Sequence, residues 1–226
     1  MNANFENRAL LGTGVYSIPE ASRLIDAPQG VIRNWLGYGR NSSPLWVPDF
    51  HGIGEYLEIS FLDLMEIRVV HTLRKEGLSL QYIRKALQKA REEFDLEHPF
   101  STGRFRTDGK RIFWETAKEL AEHDPDLEDL LSGQFVFWPI VEKTFKSVDI
   151  EQGLARRWWP QQGKRTIVVD PHRSFGQPIL AESGIPTRRI WEMAQSNQSE
   201  NTIALYFEIS KKRVSEAIKF EEKLLH

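Results

Sequence analysis

A mainly α fold with small β elements (α+β) is what this 226-residue sequence predicts. Two observations carry the helices: serine-led amphipathic segments recur along the chain, and two short helix pairs stand near the two ends. A third carries the sheets, because brief alternating or β-branched runs separate those segments. The chain then divides into a winged helix-turn-helix unit over 1–93, a middle linking segment with a β-hairpin over 94–163, and a second helix-turn-helix unit over 164–226.

The first element opens at Ser17-Ile18-Pro19-Glu20. Serine caps, proline fits the first turn, and Glu20 can reach back to the cap amide. The helix turns Ala21, Leu24 and Ile25 inward until Asp26-Ala27-Pro28 breaks it. Residues 31–36 read as a second short helix, and two short helices across a tight turn form a helix-turn-helix pattern. The Gly- and Pro-rich stretch 37–54, followed by the alternating run 55–59, reads as a wing. Ser60-Phe61-Leu62-Asp63 opens a longer helix that Glu76-Gly77 closes, and Ser79 caps the next, with Ile83, Leu87 and Ala90 on one face.

In the middle segment, Asp108-Gly109 within 105–114 predicts a hairpin on a type I′ turn. The acidic stretch 119–131 is expected to be helix or loop. His123, Asp124, Asp126, Glu128 and Asp129 are set against a metal reading, but a solvated charge cluster fits better, because a calcium loop's glycine and carboxylate spacing are missing. Residues 134–141 read as a buried strand or the start of a packed helix. Arg156-Arg157-Trp158-Trp159 suits base stacking or packing, and packing is the commoner use of tryptophan.

Further on, 166–169 is a β-branched strand stopped by Asp170-Pro171. Thr187 is expected to cap a helix over 188–195, and Ser199 and Ser210 lead the last two helices. The first turn after Ser210 would present Lys211, Lys212 and Arg213 to phosphates or base edges. A plain helical hairpin with a solvated basic turn is the alternative.

Composition bounds the rest. Hydrophobic residues make up 40% and charged residues 27%, there is no cysteine, and the formal charge is −2. The first 93 residues carry 11 Lys/Arg against 11 Asp/Glu, the middle 70 carry 9 against 13, and the last 63 carry 10 against 8. Acidity therefore gathers in the middle and leaves both ends free to present basic faces. No apolar run approaches the ~20 residues of a membrane span, and the N-terminus lacks a signal-peptide layout. A cytoplasmic, non-membrane protein is expected.

Two resemblances follow from these residues. Ser17-Ile18-Pro19-Glu20-Ala21, Ile32-Arg33-Asn34-Trp35, Tyr56-Leu57-Glu58-Ile59-Ser60 and the run from Leu73 to Ile83 resemble the MerR-type winged helix over about 15–92, although the first turn lacks the usual glycine. Val169-Asp170-Pro171, Phe175-Gly176-Gln177-Pro178-Ile179 and Ser183-Gly184-Ile185-Pro186-Thr187, with the helix pair after them, resemble the small domain of VapB-like type II antitoxins, which pair with PIN-type ribonuclease toxins. The resemblance implies an antitoxin that neutralises such a toxin and represses its own operator DNA, expected as a homodimer. It implies DNA contacts from Gln29, Arg33, Asn34, Arg40, Ser210, Lys211, Lys212 and Arg213. No catalytic residues, metal site or cofactor are expected: His-Glu-x-x-His, Gly-x-Ser-x-Gly and phosphate-cradling glycine motifs are all missing. The alternative is a MerR-like small-molecule-responsive regulator without a toxin partner, with Trp114, Phe135, Phe137, Trp138, Trp158 and Trp159 lining an effector pocket.

Overall fold

The computed structural model of the chain describes residues 12–40, 43–51, 57–121 and 138–225. Strand β1 (Tyr16–Ser17) runs directly into α1 (Ile18–Ile25). The Ser17 hydroxyl accepts from the Glu20 amide, and the Glu20 carboxylate takes the Ser17 amide at 2.9 Å, so the expected capping box is formed. After Asp26, α2 (Gln29–Trp35) buries Ile32 and Trp35. Strand β2 (Glu58–Ile59) pairs antiparallel with β1, Tyr16 facing Ile59. The rest of the expected wing strand, 55–56, lies outside the described residues.

Ser60 and Asp63 make a second capping box at the start of α3 (Phe61–Lys75). Ser79 caps α4 (Leu80–Phe94), which buries Tyr82, Ile83, Ala86, Leu87 and Ala90. A 3-10 turn at Pro99–Ser101 leads to α5 (Gly103–Ala121), and a further helix, α6, covers 138–146. Strands β3 (Val148–Glu151), β4 (Leu154–Trp158), β5 (Ile167–Val169) and β6 (Pro178–Leu180) form one antiparallel sheet in that order. Three helices close the chain: α7 (Thr187–Gln195), α8 (Glu200–Tyr206) and α9 (Lys211–Leu224).

The mainly helical α+β class therefore holds, and the structure corrects several local expectations. Residues 105–114 are the interior of α5, not a hairpin. Phe105, Ile112, Phe113 and Ala117 recur at helical spacing and are all buried. Gly109 serves packing instead of a turn: a Cβ there would stand 2.6 Å from the Trp138 ring and 2.8 Å from that of Phe105. The hairpin of the middle segment lies at β3–β4. Its two turn residues, Gln152 and Gly153, both have positive φ (51° and 83°), as a primed two-residue turn requires.

Residues 138–146 settle the 134–141 run as helix where it is described. The acidic cluster His123, Asp124, Asp126, Glu128 and Asp129 lies outside the described residues. Thr187 is the first residue of α7, not its cap, and its hydroxyl donates to the Pro178 carbonyl at 3.2 Å.

Among the described residues, the tryptophans of the supposed effector pocket divide between core and surface. Trp138 and Trp158 are core residues, and Trp114 is exposed with the Lys118 ammonium 5.9 Å from its ring centre. Phe135 and Phe137 lie outside the described residues. The half-buried guanidinium of Arg68 lies over the Trp158 ring instead, 5.1 Å from its centre, and donates to the Thr144 carbonyl and the Ser147 hydroxyl.

The main core runs without a break from Tyr16 to Val169, and a second joins Ile167, Leu180, Ile190, Ile203, Val214, Ala217 and Phe220. The sheet crosses the expected 163/164 boundary through the β4–β5 pair, Trp158 facing Val169. Leu24 of α1 packs against both cores, and the Tyr16 hydroxyl donates to the Gly176 carbonyl at 2.9 Å.

Gly109→Val tests the corrected middle segment. A branched side chain forced against Phe105 and Trp138 is expected to cost about 1–3 kcal/mol and to lower the thermal midpoint by several degrees in a circular-dichroism melt. A surface turn at this position would leave the midpoint unchanged.

Candidate nucleic-acid interface

Each helix pair near a chain end carries some of the residues expected to meet DNA. On α2, Ile32 and Trp35 face the core, which turns Gln29, Arg33 and Asn34 outward, all exposed. Gln29 and Arg33 are one helical turn apart and so share a face. The Arg33 guanidinium has no ion pair among the described residues; its backbone carbonyl accepts from the Tyr38 amide at 2.8 Å. Arg40 is exposed in the irregular stretch beyond.

At the other end, Ser199 caps α8 and Ser210 caps α9. Ile203, Val214 and Ala217 are fully buried where the two helices meet. The Ser210 hydroxyl accepts from the Arg213 amide, which fixes the first turn of α9 and leaves Lys211 and Lys212 exposed. Neither lysine has an ion pair among the described residues.

Arg213 is placed differently from the expectation. Its guanidinium donates to Glu182 at 2.8 and 3.3 Å, to Glu216 at 2.9 Å and to the Thr166 hydroxyl at 3.2 Å. Hydrogen bonds donated to Glu182 and then to Glu216 hold its pKa above the usual guanidinium value. Two carboxylates neutralise this charge, so Arg213 is a strut from α9 to the sheet rather than an outward-facing cation. Next to the basic turn, Leu205 and Tyr206 stand 81% and 70% exposed, unusually open for side chains of that size.

A basic surface that sequence spacing did not reveal lies between the α1–α2 turn and the last turns of α9. A cleft of about 1220 Å3 is lined there by Arg23, Lys75, Lys164, Lys219 and Lys223, with Asp26 beside them. Lys75 is 3.4 Å from Asp26 in an exposed pair of little energetic weight. These cations come from four separate stretches of chain, so no local charge run announces them. An electropositive recess of this kind attracts polyanions, and salt weakens the attraction.

The remaining basic-aromatic run is internally satisfied. Arg156 meets Asp170 at 2.5 Å, Arg157 pairs with Glu151 at 2.5 Å, and the Trp159 indole donates to Asp149 at 2.9 Å. The Arg165 guanidinium lies over the Trp159 ring, 4.9 Å from its centre, and Trp158 is buried.

Comparison with known proteins places these features in context. A family described as "Protein of unknown function (DUF433)" matches residues 167–220, the stretch that contains β5, β6 and the helices after them as far as Phe220. The chain is 29% identical to a Mycobacterium tuberculosis protein named "Putative antitoxin VapB45", over 76% of this chain and 78% of that one. It is 22% identical to "Uncharacterized protein Rv2308" of the same organism, over 99% of this chain and 96% of that one. The crystal structure of Rv2018 from Mycobacterium tuberculosis superposes with a TM-score of 0.74 at 23% identity, covering 92% of this chain and 98% of that one. The fold is therefore one already seen in a mycobacterial protein, and the chain is similar over three quarters of its length to one named as an antitoxin.

Proposed function

We propose that the chain is the antitoxin of a type II toxin–antitoxin pair, which neutralises a PIN-type ribonuclease and represses its own operator. The similarity to the protein named as antitoxin VapB45 supports the antitoxin half. The DNA half rests on one observation: Lys211 and Lys212 stand exposed on the first turn of a 14-residue helix whose other early cation, Arg213, is consumed as a strut. Such a turn offers two unpaired cations and the positive end of a helix dipole to a phosphate.

In this reading Gln29, Arg33 and Asn34 on α2, with Arg40 beyond it, form a second DNA-facing surface, and the basic cleft lies beside the α1–α2 turn. Leu205 and Tyr206 supply apolar surface for a protein partner. The chain acts as a homodimer, which would set equivalent elements about 34 Å apart on an inverted repeat.

Titration of operator DNA at several salt concentrations tests the DNA half. Removing one phosphate-binding cation should flatten the slope of log K against log salt by about 0.9, so the Lys211→Ala/Lys212→Ala double variant should flatten it by about 1.8, and Arg33→Ala by about 0.9. An unchanged slope in the double variant removes α9 from the interface. Arg213→Ala should behave in the opposite way. It lowers the thermal midpoint, by up to about 1 kcal/mol of stability for a partly exposed network, whereas the lysine variants melt like the parent. Growth rescue on co-expression with the ribonuclease encoded beside it, and co-purification of the two chains, test the antitoxin half. Arrested growth with both chains present refutes it.

A further inference from the structure

Three stretches of chain converge beneath the start of α3. The loop at 43–51 contributes Asp49, the first turns of α3 contribute Asp63 and Glu66, and the connection from α4 to α5 contributes His98. One ligand atom each from Asp49, Asp63 and His98 lies within 4.8 Å of the other two. The His98 Nε2 is 3.2 Å from an Asp49 oxygen, and its Nδ1 is 3.9 Å from an Asp63 oxygen. Ligands held about 2.1 Å from a tetrahedral zinc ion stand roughly 3.4 Å apart, so side-chain adjustments of about an ångström would close the set around one ion.

Two buried groups mark this place. His98 is 8% exposed, and its ring lies between the Asp49 and Asp63 carboxylates, paired with Asp49 through Nε2. Glu66 is fully buried; one oxygen takes the Ser101 amide at 2.8 Å, and the other has no partner. A buried carboxylate oxygen left bare is costly. By contrast, Asp63 is held firmly. The Trp46 indole donates to one of its oxygens at 2.7 Å, and the amides of Asp49 and Ser60 donate to the other at 3.0 Å each. Outer contacts of this kind orient a metal-binding carboxylate. Access exists as well, since Asp49 and Ser60 line a cleft of about 430 Å3 that also reaches Arg156 and His172.

We propose that Asp49, Asp63 and His98 form a binding site for a zinc-class divalent cation. The imidazole selects a borderline first-row ion over calcium or magnesium, which prefer all-oxygen sites. Three protein ligands leave a tetrahedral ion one further position. Bound there, the ion would pin the 43–51 loop to α3 and to the α4–α5 connection.

The test uses the full chain alone, stripped with a chelator and titrated with Zn2+ by calorimetry, while tryptophan fluorescence reports on Trp46. The expected result is saturation at one equivalent, together with a rise in thermal midpoint. Asp49→Asn and His98→Gln should each weaken binding at least about tenfold and abolish the midpoint rise, whereas His172→Gln should bind as the parent does. Absence of saturable binding in the parent overturns the proposal. So does parent-like binding by a folded Asp49→Asn variant, which decides the matter alone if His98→Gln fails to fold. Loss of binding in His172→Gln only would place the ion in the outer cleft and refute this ligand set. The titration contains no DNA, so its outcome is independent of operator binding.

Discussion

Ile167, Val168 and Val169 of β5 are each buried, and Ile167 and Val169 belong to different cores. Val169 belongs with Trp158 to the large core built on the first six helices, and Ile167 belongs with Leu180 to the small core under α7, α8 and α9. A strand covered on both faces is read as a continuous β-branched run rather than an alternating one. Ile167 and Val169, two residues apart, share one face of the strand and span the junction of the two cores, and a slip of one residue would turn both away and present Val168 in their place. The register of this one strand thus fixes where the C-terminal helices attach. Asp170 ends the strand nearly buried, and its carboxylate is offset by the Arg156 guanidinium at 2.5 Å and by the His172 amide at 2.9 Å. The Tyr16 hydroxyl on the Gly176 carbonyl fastens the same corner from the side of α1. Burial pushes that phenol's pKa far above its ordinary value, so it stays a neutral donor.

Local chemistry was legible in the sequence where its reach was short. Ser17, Ser60, Ser79, Ser199 and Ser210 all cap the helices expected of them, because a cap is decided by a hydroxyl and an amide three residues apart. Asp108-Gly109 misled because a turn dipeptide makes a hairpin only where the flanking segments can pair. Here Phe105 and Phe113 had partners in Phe100 and Trp138, and that aromatic packing outweighed the turn preference. The real hairpin turns on Gln152-Gly153, where glutamine gives none of the signal that asparagine or aspartate would.

The candidate interface divides along the same line. Lys211 and Lys212 were readable as outward cations from the Ser210 cap alone. Arg213 was not, since Glu182 lies 31 residues away and joins it only through the fold. The basic cleft assembles Lys75, Lys164, Lys219 and Lys223 from distant positions, and Asp49, Asp63 and His98 meet in the same way. Sequence spacing carries no record of such meetings when the intervening chain is long.

The two helix pairs share a construction that bears on the missing glycine of the first turn. Asp26 after α1 and Glu208 after α8 both adopt left-handed backbone conformations, with φ of 60° and 55°. For a non-glycine residue that conformation costs about 1–2 kcal/mol. In both turns the chain closes back on itself: the Ala27 amide reaches the Ser22 carbonyl at 3.1 Å, and the Ile209 amide reaches that of Ala204 at 3.0 Å. Both closing residues are apolar, Ala27 buried and Ile209 packed on the small core. The Ser22 hydroxyl adds a bond to the Ala27 carbonyl at 2.6 Å. A six-residue closure with an apolar residue tucked behind it is the bonding pattern that glycine usually supports. Here hydrogen bonding and burial offset the backbone cost, so the exit direction into α2 and α9 is set by the closure and does not require glycine.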